Sequence, residues 1–459
     1  MPALRSPTPP RNTHQDSVLT YDERVEGFTY DPASQVTAIS HQLSAISAEV
    51  NKAEYAYNPV GNRTSLTDRR GSQAFGYDSL DRLTSASHPL LATPQAFAYD
   101  AVGNRTTGGS VVNAGNQLTA DANFIYEYDA NGNQTNKTNK ITNNSTLYTY
   151  DAEHRLTKVE EFAAGNPTPA STSTYRYDGL GRRIQKTLST QSSALSTAYV
   201  YDGEDILLEY DGANVLQARY THGPGIDEPI AVTKGGATFF YHQDALGTVT
   251  DLTDSAGATA KSYSYDAYGN LVESPGTLEQ PYTYTGREFD SETGLYYYRA
   301  RAYDPRIGRF LQIDPIGFAE GSINLYLYTN DNPVDFSDPF GLEGCKGTWK
   351  LVGFKPKASF SNLIGIKKCE CTWICIPCGG SAIWSGNPNS PDLPKSDGQV
   401  FFDPSFDSGQ SFKGGRAGAG GGGSGRGGRG GGGPLGGGNA CLCDKPGPET
   451  TCFGCGGLE

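Results

Sequence analysis

Several residue types are missing from long parts of this 459-residue chain. Neither Cys nor Trp occurs before position 343 and no His follows it, although the chain has nine Cys, three Trp and six His. No apolar run approaches the roughly 18 residues of a membrane-spanning helix. The opening residues also lack an apolar core of signal-peptide length, so we do not expect cleaved Sec export from this start site. The absence of Cys from the body does not identify the redox compartment.

Charge is scarce as well, at 19% of residues, while the apolar share is 36% and rises to about half with the 58 Gly, which is ordinary for a folded protein. A collagen repeat, a coiled coil and a wholly disordered chain are therefore excluded. Residues 343–459 carry a net charge of +3, so residues 1–342 carry −16 of the total of −13. This acidic balance argues against a general nucleic-acid-binding surface on the first part. Four properties change at one point, which predicts two modules.

A repeat organises the first module. Blocks such as YNPVGNRTSL, YDAVGNRTTG and YDGLGRRIQK recur, and many have a second aromatic residue two positions before the Tyr. The blocks begin at Tyr30, Tyr57, Tyr77, Tyr99, Tyr128, Tyr150, Tyr177 and Tyr265, and the first seven are 20 to 29 residues apart.

Each block has the pattern of a β-hairpin. Tyr-x-Tyr places two rings on one face of a strand, the Asp or Asn that follows caps a turn, and Gly or Asn about three residues later accepts positive φ. Because one hairpin cannot bury its aromatic face alone, successive hairpins must stack into a long curved sheet. The predicted fold class is all-β, with only one short helical possibility, around residues 42–55. The turn at Asp129–Asn133 imitates a calcium loop, but Gln134 and Lys140 stand where that loop needs Gly and an acidic ligand, so a hairpin turn is favoured.

The tyrosine–aspartate repeats resemble the YD repeats of the Rhs (rearrangement hotspot) family. Residues 239–342 resemble that family's RHS-repeat-associated core, through YHQDALGTVTDLTD, YDAYGNLVE, YTGREFDSETGLYYYRARAYDPRIGRFLQIDPIG and NLYLYTNDNPVDFSDPFGL. The resemblance implies a YD-repeat β-shell at residues 1–238, a core at 239–342 and a variable C-terminal polypeptide, usually a toxin, at 343–459. It implies a spiral shell that encloses this polypeptide, with a cognate immunity protein and secretion machinery as partners.

The resemblance also implies self-cleavage after the Leu of the DPxGL motif by an aspartyl-protease-like pair. By matching motif the pair is Asp314 and Asp338, and the scissile bond joins Leu342 to Glu343. Two close carboxyls titrate separately, so that one can accept a proton from water while the other donates one. Arg309, five residues before Asp314, is the first candidate for an arginine that holds one carboxylate, and Arg301 is the second.

The alternative is that these Asp-Pro pairs only form turns, as a third pair, Asp304-Pro305, also would. Asp335 and Asp331 are the residues most easily confused with the catalytic pair. The end of the motif coincides with the independent change in composition, which favours cleavage.

Cysteines dominate the 117-residue tail. Two blocks with short internal spacing can form four-cysteine zinc sites, with one zinc per block or one shared across the blocks. Bridges between pairs can instead form disulfides, and both remain open, with zinc slightly favoured. Cys345 is left over. The two blocks are Cys369, Cys371, Cys375 and Cys378, and Cys441, Cys443, Cys452 and Cys455.

A Gly-rich segment, residues 414–438, separates the two cysteine blocks and carries Arg416, Arg426 and Arg429. A flexible linker is favoured over a phosphate-binding segment. The absence of His from the tail excludes His-based nucleases and Cys–His hydrolases. The pattern of zinc deaminases also fails, since Pro377-Cys378 is followed by Gly-Gly-Ser. No arrangement in the tail names a reaction, and no cofactor is expected for the core.

Three functions remain at this point. The first is an Rhs-type polymorphic toxin, delivered outside the cell without a recognisable signal peptide, that releases its tail into a target cell by autoproteolysis. The second is a non-enzymatic secreted or cell-surface YD-repeat protein that binds carbohydrate or neighbouring cells through its Tyr faces. The third is an orphan cassette with an inert tail. Cleavage after Leu342 discriminates the first from the second.

Overall fold

A computed structural model describes residues 17–21, 24–33, 35–43, 48–223, 225–320 and 323–342, together with the backbone of six strands beyond them. The chain divides into two compact units, one formed by residues 1–344 with 455–459 and the other by residues 345–454. The described part of the first unit consists of antiparallel strands and three short 3₁₀ segments. The all-β prediction is therefore confirmed.

The first sheet of this unit has eight strands that follow one another in chain order. Neighbours are antiparallel, as expected for hairpins joined by tight turns. The strands are β1 (Ser17–Tyr21), β2 (Arg24–Tyr30), β3 (Val36–Leu43), β4 (Ala48–Tyr57), β5 (Arg63–Asp68), β6 (Gly71–Tyr77), β7 (Leu83–Ala86) and β8 (Gln95–Ala96).

The short helix considered at residues 42–55 is wrong, because β3 and β4 occupy this stretch. Cross-strand pairing such as Ala38 with Glu54 and Glu54 with Thr67 places β4 between two neighbours. Ladder hydrogen bonds on both sides of a strand outweigh the weak helix propensity of a short segment.

The second sheet has fifteen strands, again in chain order. It runs without interruption past residue 238, so the boundary between repeats and core is one of sequence motifs and not of sheets. The strands are β9 (Val111–Val112), β10 (Leu118–Ala120), β11 (Phe124–Tyr128), β12 (Gln134–Asn139), β13 (Ser145–Tyr150), β14 (Leu156–Phe162), β15 (Ser171–Tyr177), β16 (Arg183–Thr190), β17 (Ala194–Asp202), β18 (Asp205–Asp211), β19 (Leu216–His222), β20 (Pro229–Lys234), β21 (Ala237–Gln243), β22 (Val249–Asp254) and β23 (Thr259–Ser262).

The rest of the core forms two small sheets and three 3₁₀ segments. Its aromatic side chains pack densely; the rings of Tyr303 and Tyr328, for example, have centroids 4.4 Å apart. The strands are β24 (Ser264–Tyr265) with β25 (Leu271–Glu273), and β26 (Glu288–Asp290), β27 (Leu295–Tyr298), β28 (Arg301–Asp304) and β29 (Arg309–Phe310); the 3₁₀ segments are Tyr284–Gly286, Gly317–Glu320 and Thr329–Asp331.

The repeat turns have the predicted geometry. In each one the Asp or Asn side chain accepts hydrogen bonds from the backbone N–H groups two and four residues later, as Asp178 does from Leu180 and Arg182 at 2.9 and 3.0 Å. In the seven turns where the residue three positions later is described, it has positive φ, which Gly allows without strain. At Gly132 a Cβ atom would also lie 2.8 Å from Ile313 and Tyr326. Asp129 caps the turn considered as a calcium loop in the same way.

The two aromatic residues of a repeat have different roles. The first packs into the core, where Tyr126 and Tyr148 are buried and Phe75 and Phe97 are partly buried. The hydroxyl of the second donates to a backbone carbonyl of the preceding repeat at 2.6–2.9 Å, which ties successive hairpins together. These bonds run from Tyr57 to Val36, Tyr77 to Arg63, Tyr99 to Leu83, Tyr150 to Gln134, Tyr177 to Leu156, Tyr201 to Arg183 and Tyr265 to Val249.

The second unit contains a long antiparallel pair and four short strands. Its described backbone comprises β30 (Lys346–Pro356), β31 (Ile366–Ile376), β32 (Trp384–Gly386), β33 (Gln399–Phe402), β34 (Ala440–Cys443) and β35 (Cys452–Phe453).

Candidate active site

Asp314 follows the last strand of the core, β29, and is 4% exposed. Its backbone N–H donates to the Leu325 carbonyl at 2.9 Å, and its Oδ1 accepts from the Ile316 N–H at 3.0 Å. These bonds fix the Asp-Pro turn and leave Oδ2 directed at Arg301. Asp314 therefore forms the Asp-Pro turn with one carboxylate oxygen and contacts Arg301 with the other.

Asp338 is buried to a similar extent, at 5% exposure. Its Oδ1 accepts a hydrogen bond from the Leu342 N–H at 3.0 Å, so the carboxyl group contacts the residue before the expected scissile bond. Burial raises the pKa of Asp338, against the lowering effect of Arg301. The direction of this shift is toward the protonated form that a general acid needs.

One guanidinium brings the two carboxylates together. Arg301 Nη2 lies 3.1 Å from Asp314 Oδ2 and 3.3 Å from Asp338 Oδ2. The two contacts limit the separation of these oxygens to 6.4 Å. The Arg301 side chain is 1% exposed, and its guanidinium stacks on the Phe310 ring at 3.6 Å. Two buried carboxyls beside one shared cation have the composition of a general acid–base pair.

The ranking of the two candidate arginines is reversed by the structure. The guanidinium of Arg309, expected to hold a catalytic carboxylate, instead donates to Asn104 Oδ1 at 3.0 Å, Asn324 Oδ1 at 3.2 Å and the Asn116 carbonyl at 2.5 Å. Strand pairing explains this, because Arg309 pairs with Asp304 in β28 and bridges to Leu327. Arg301 was the second candidate and takes the contact with both carboxylates.

The two carboxyls most easily confused with the pair make other contacts. Asp335 Oδ1 accepts from the Arg63 backbone N–H at 2.8 Å. Asp331 is 3% exposed, and burial raises its pKa to about 7, against the lowering effects of Arg105, Arg309 and Arg82.

Some predicted residues lie outside the described part of the chain. Glu343 is one, as are Cys378 and Cys455 and the side chains of the other six cysteines of the two blocks. Within the described part, no cluster of three or more His, Cys, Asp or Glu side chains could hold a metal ion. No helix there is long and apolar enough to serve as a membrane span.

The sequence of residues 26–334 matches the teneurin YD-shell family. Three relatives illustrate the range of similar proteins. The tRNA3(Ser)-specific nuclease WapA of Bacillus spizizenii is 38% identical over 58% of this chain and 12% of its own length. The double-stranded DNA deaminase toxin A of Burkholderia cenocepacia is 32% identical over 72% and 25%. The toxin protein Tse5 of Pseudomonas aeruginosa is 26% identical over 63% and 27%. The chain therefore spans about a quarter or less of these relatives.

A solved structure has the same fold. The TcdB2-TccC3 complex without its hypervariable C-terminal region superposes with a TM-score of 0.51 and 20% identity, over 70% of this chain and 18% of that chain.

Proposed function

Because this chain belongs to the teneurin YD-shell family, we propose that it acts as an Rhs-type polymorphic toxin whose β-shell encloses residues 343–459 and releases them by aspartyl autoproteolysis after Leu342. Relatives named as a tRNA nuclease and a DNA deaminase toxin support a toxin role. A cognate immunity protein, secretion machinery and delivery to a target cell belong to the same proposal.

The observation that carries the proposal is the shared contact of Asp314 and Asp338 with Arg301 Nη2, beside Leu342. Asp-Pro turns alone do not require two buried carboxylates on one cation. Burying such a group costs several kcal/mol before its contacts repay it. The chain has a second such cluster, Arg183 with Glu288 and Asp290, but only the Arg301 cluster contacts the residue before the expected scissile bond, and this position favours a catalytic role.

The chemistry is the hydrolysis of one peptide bond. Asp314 accepts a proton from water, whose oxygen attacks the Leu342 carbonyl carbon, while Asp338 donates a proton to polarise that carbonyl. The bond from Leu342 carbon to Glu343 nitrogen then breaks, the nitrogen takes up a proton, and Leu342 ends in a carboxylate. Arg301 holds the two carboxyls together and balances the negative charge of Asp314.

Cleavage is tested by cell-free translation of the full chain, with samples denatured at successive times and their intact masses measured. We expect the 49.0 kDa chain to convert into two fragments, one ending at Leu342 and one beginning at Glu343. Removal of an acid–base group slows catalysis by about 10²–10⁴-fold, so Asp314→Asn and Asp338→Asn should leave the chain intact on the same time scale.

The matched controls are Asp335→Asn and Asp331→Asn, which change carboxyls of the same segment that make other contacts. Both should cleave at the rate of the unchanged chain. Persistence of the intact chain without any substitution favours a non-enzymatic YD-repeat protein. Loss of cleavage in a control, with normal cleavage of Asp338→Asn, would assign the pair elsewhere.

For the tail we propose zinc bound by the two cysteine blocks, with disulfides as the alternative. Native mass spectrometry of residues 343–459 after release distinguishes the two, because zinc adds mass and each disulfide removes two hydrogens. Growth arrest upon cytosolic expression of this segment tests the effector role.

A further inference from the structure

The segment that leads to the expected scissile bond lies against the turn between β27 and β28. Three consecutive carbonyls of this segment accept hydrogen bonds from three consecutive residues, the two of the turn and the first of β28. Arg299 Nη1 donates to the Pro339 carbonyl, the Ala300 N–H to the Phe340 carbonyl at 3.1 Å, and Arg301 Nε to the Gly341 carbonyl at 2.5 Å. A shift of the segment by one residue would break all three bonds.

Close packing at Gly341 reinforces this register. Its φ is +65°, and a Cβ atom at this position would lie 2.3 Å from the Tyr298 carbonyl oxygen and 3.1 Å from the Arg301 nitrogen. Neither backbone atom can give way as a flexible side chain would. The segment therefore approaches the turn more closely than any residue with a side chain allows at Gly341.

Arg299 is held in place by charges that do not contact the cleaved segment. Asp227 accepts from its Nη2 at 2.8 Å and its Nη1 at 3.3 Å, and Asp227 is itself paired with Arg287. The Arg299 backbone has a φ of +50°, a conformation that costs a bulky residue of order 1 kcal/mol. A glycine would avoid this cost but would lose the contacts of the guanidinium with Asp227 and with the Pro339 carbonyl.

On the basis of the proposed autoproteolysis, we infer that residues 299–301 form a carbonyl clamp that sets which peptide bond faces the Asp314–Asp338 pair, and that Arg299 is its positioning residue. Arg299 acts on the Pro339 carbonyl, three residues before the scissile bond, through a side chain oriented by Asp227. Because every clamp contact lies on the N-terminal side of that bond, residues 338–342 stay bound after cleavage, while the polypeptide that begins at Glu343 loses its covalent link.

The clamp is tested by the same time course with Arg299→Gln and Arg299→Lys. A misplacement near 1 Å can cost about 100-fold in rate, so we expect Arg299→Gln to cleave about 10- to 100-fold more slowly. It should also yield fragments cut at bonds adjacent to Leu342. Arg299→Lys keeps a donor for the Pro339 carbonyl and should recover part of both rate and accuracy.

Arg306→Gln is the matched control, because Arg306 lies in the same core and pairs with Asp304 at 2.9 Å without contacting residues 338–342. It should cleave normally. If Arg299→Gln fails to fold, Asp227→Asn provides the same test, since it weakens the orientation of Arg299 but keeps a side-chain oxygen. Slower or displaced cleavage by Asp227→Asn supports the clamp.

Cleavage after Leu342 at the unchanged rate and position in Arg299→Gln, or in Asp227→Asn when it is the variant tested, would overturn the clamp while leaving the proposed function intact. The proposed function fails separately, if the unsubstituted chain stays intact or if Asp314→Asn cleaves normally.

Discussion

At the residue scale, Asp331 shows what burial of a carboxyl costs in this core. It is 3% exposed, and its Oδ2 lies 2.8 Å from where a Cβ at Gly103 would stand. No hydrogen-bond partner for Oδ2 is present among the described residues. Arg105, Arg309 and Arg82 lower the pKa of Asp331, but burial prevails and raises it to about 7. The carboxyl is therefore half-protonated near neutral pH.

Asp331→Asn should remove a pH-dependent penalty. As pH rises from about 4, the unfolded chain loses the Asp331 proton first, whereas the folded chain keeps it to about pH 7. The folded state therefore loses stability between about pH 4 and 7 and no more above that range. The gain from Asp331→Asn should grow across this window, to at most about 4 kcal/mol. Urea unfolding of both proteins from pH 4 to 8 measures it; parallel pH profiles would contradict the expectation.

The catalytic candidates show how far sequence reaches at this scale. Asp314 and Asp338 can be identified from the sequence, because each lies in a short motif. Their cation does not, because proximity along the chain favours Arg309, whereas strand pairing directs Arg309 toward Asn104 and Asn324. A contact that depends on strand register can be predicted only when the pairing of the strands is known, and a single sequence does not give that pairing.

At the element scale, the hairpin turn was predictable and the bond between hairpins was not. An Asp followed by Gly three positions later predicts the turn directly, because the side-chain cap and the positive φ both depend only on residues within the turn. The hydroxyl of the second Tyr, by contrast, bonds to a carbonyl 14 to 21 residues earlier, as Tyr150 does to Gln134 at 2.7 Å. The length of the repeat does not predict which carbonyl accepts this bond, but the same bond occurs in seven places and is therefore a regular feature of the fold.

Tyr150→Phe should destabilise the first unit by about 1 kcal/mol, because it removes one hydrogen bond and leaves the Gln134 carbonyl without that donor. Tyr148→Phe is the matched control. Tyr148 lies two residues away on the same strand, and its buried hydroxyl has no hydrogen-bond partner in the described part of the chain, so this change should be neutral or slightly stabilising. Denaturant unfolding compares the two. If Tyr148→Phe lowers the free energy of unfolding as much as Tyr150→Phe does, the hydroxyl bond between hairpins does not contribute to stability.

At the scale of the whole first unit, the predicted Rhs-type YD-repeat architecture is confirmed by the family match and the strand order. What the sequence could not supply is how the small core sheet attaches to the fifteen-stranded sheet. Buried charges contribute to that attachment, beside a shared aromatic core that includes Tyr220 and Tyr296. Arg183 of β16 contacts Glu288 of β26 at 2.8 Å and Asp290 of the same strand at 2.5 Å. Residues about 105 positions apart leave no local pattern from which to predict such a pair.

Two neighbouring arginines allow a direct test of this attachment. Arg183 is 2% exposed, and Arg183→Gln should remove the nearest cation from buried Glu288, while Asp290 keeps Lys186 at 2.9 Å. The loss should cost about 3–5 kcal/mol. Arg182→Gln is the matched control, because Arg182 pairs with Asp178 at 2.7 Å with its side chain 24% exposed, and such pairs contribute about 0–1 kcal/mol. Urea unfolding followed by tyrosine fluorescence should show the midpoint fall far more for Arg183→Gln, within one transition if the sheets unfold together. Equal midpoints for the two variants would mean that the aromatic core, and not the buried charges, holds the small sheet in place.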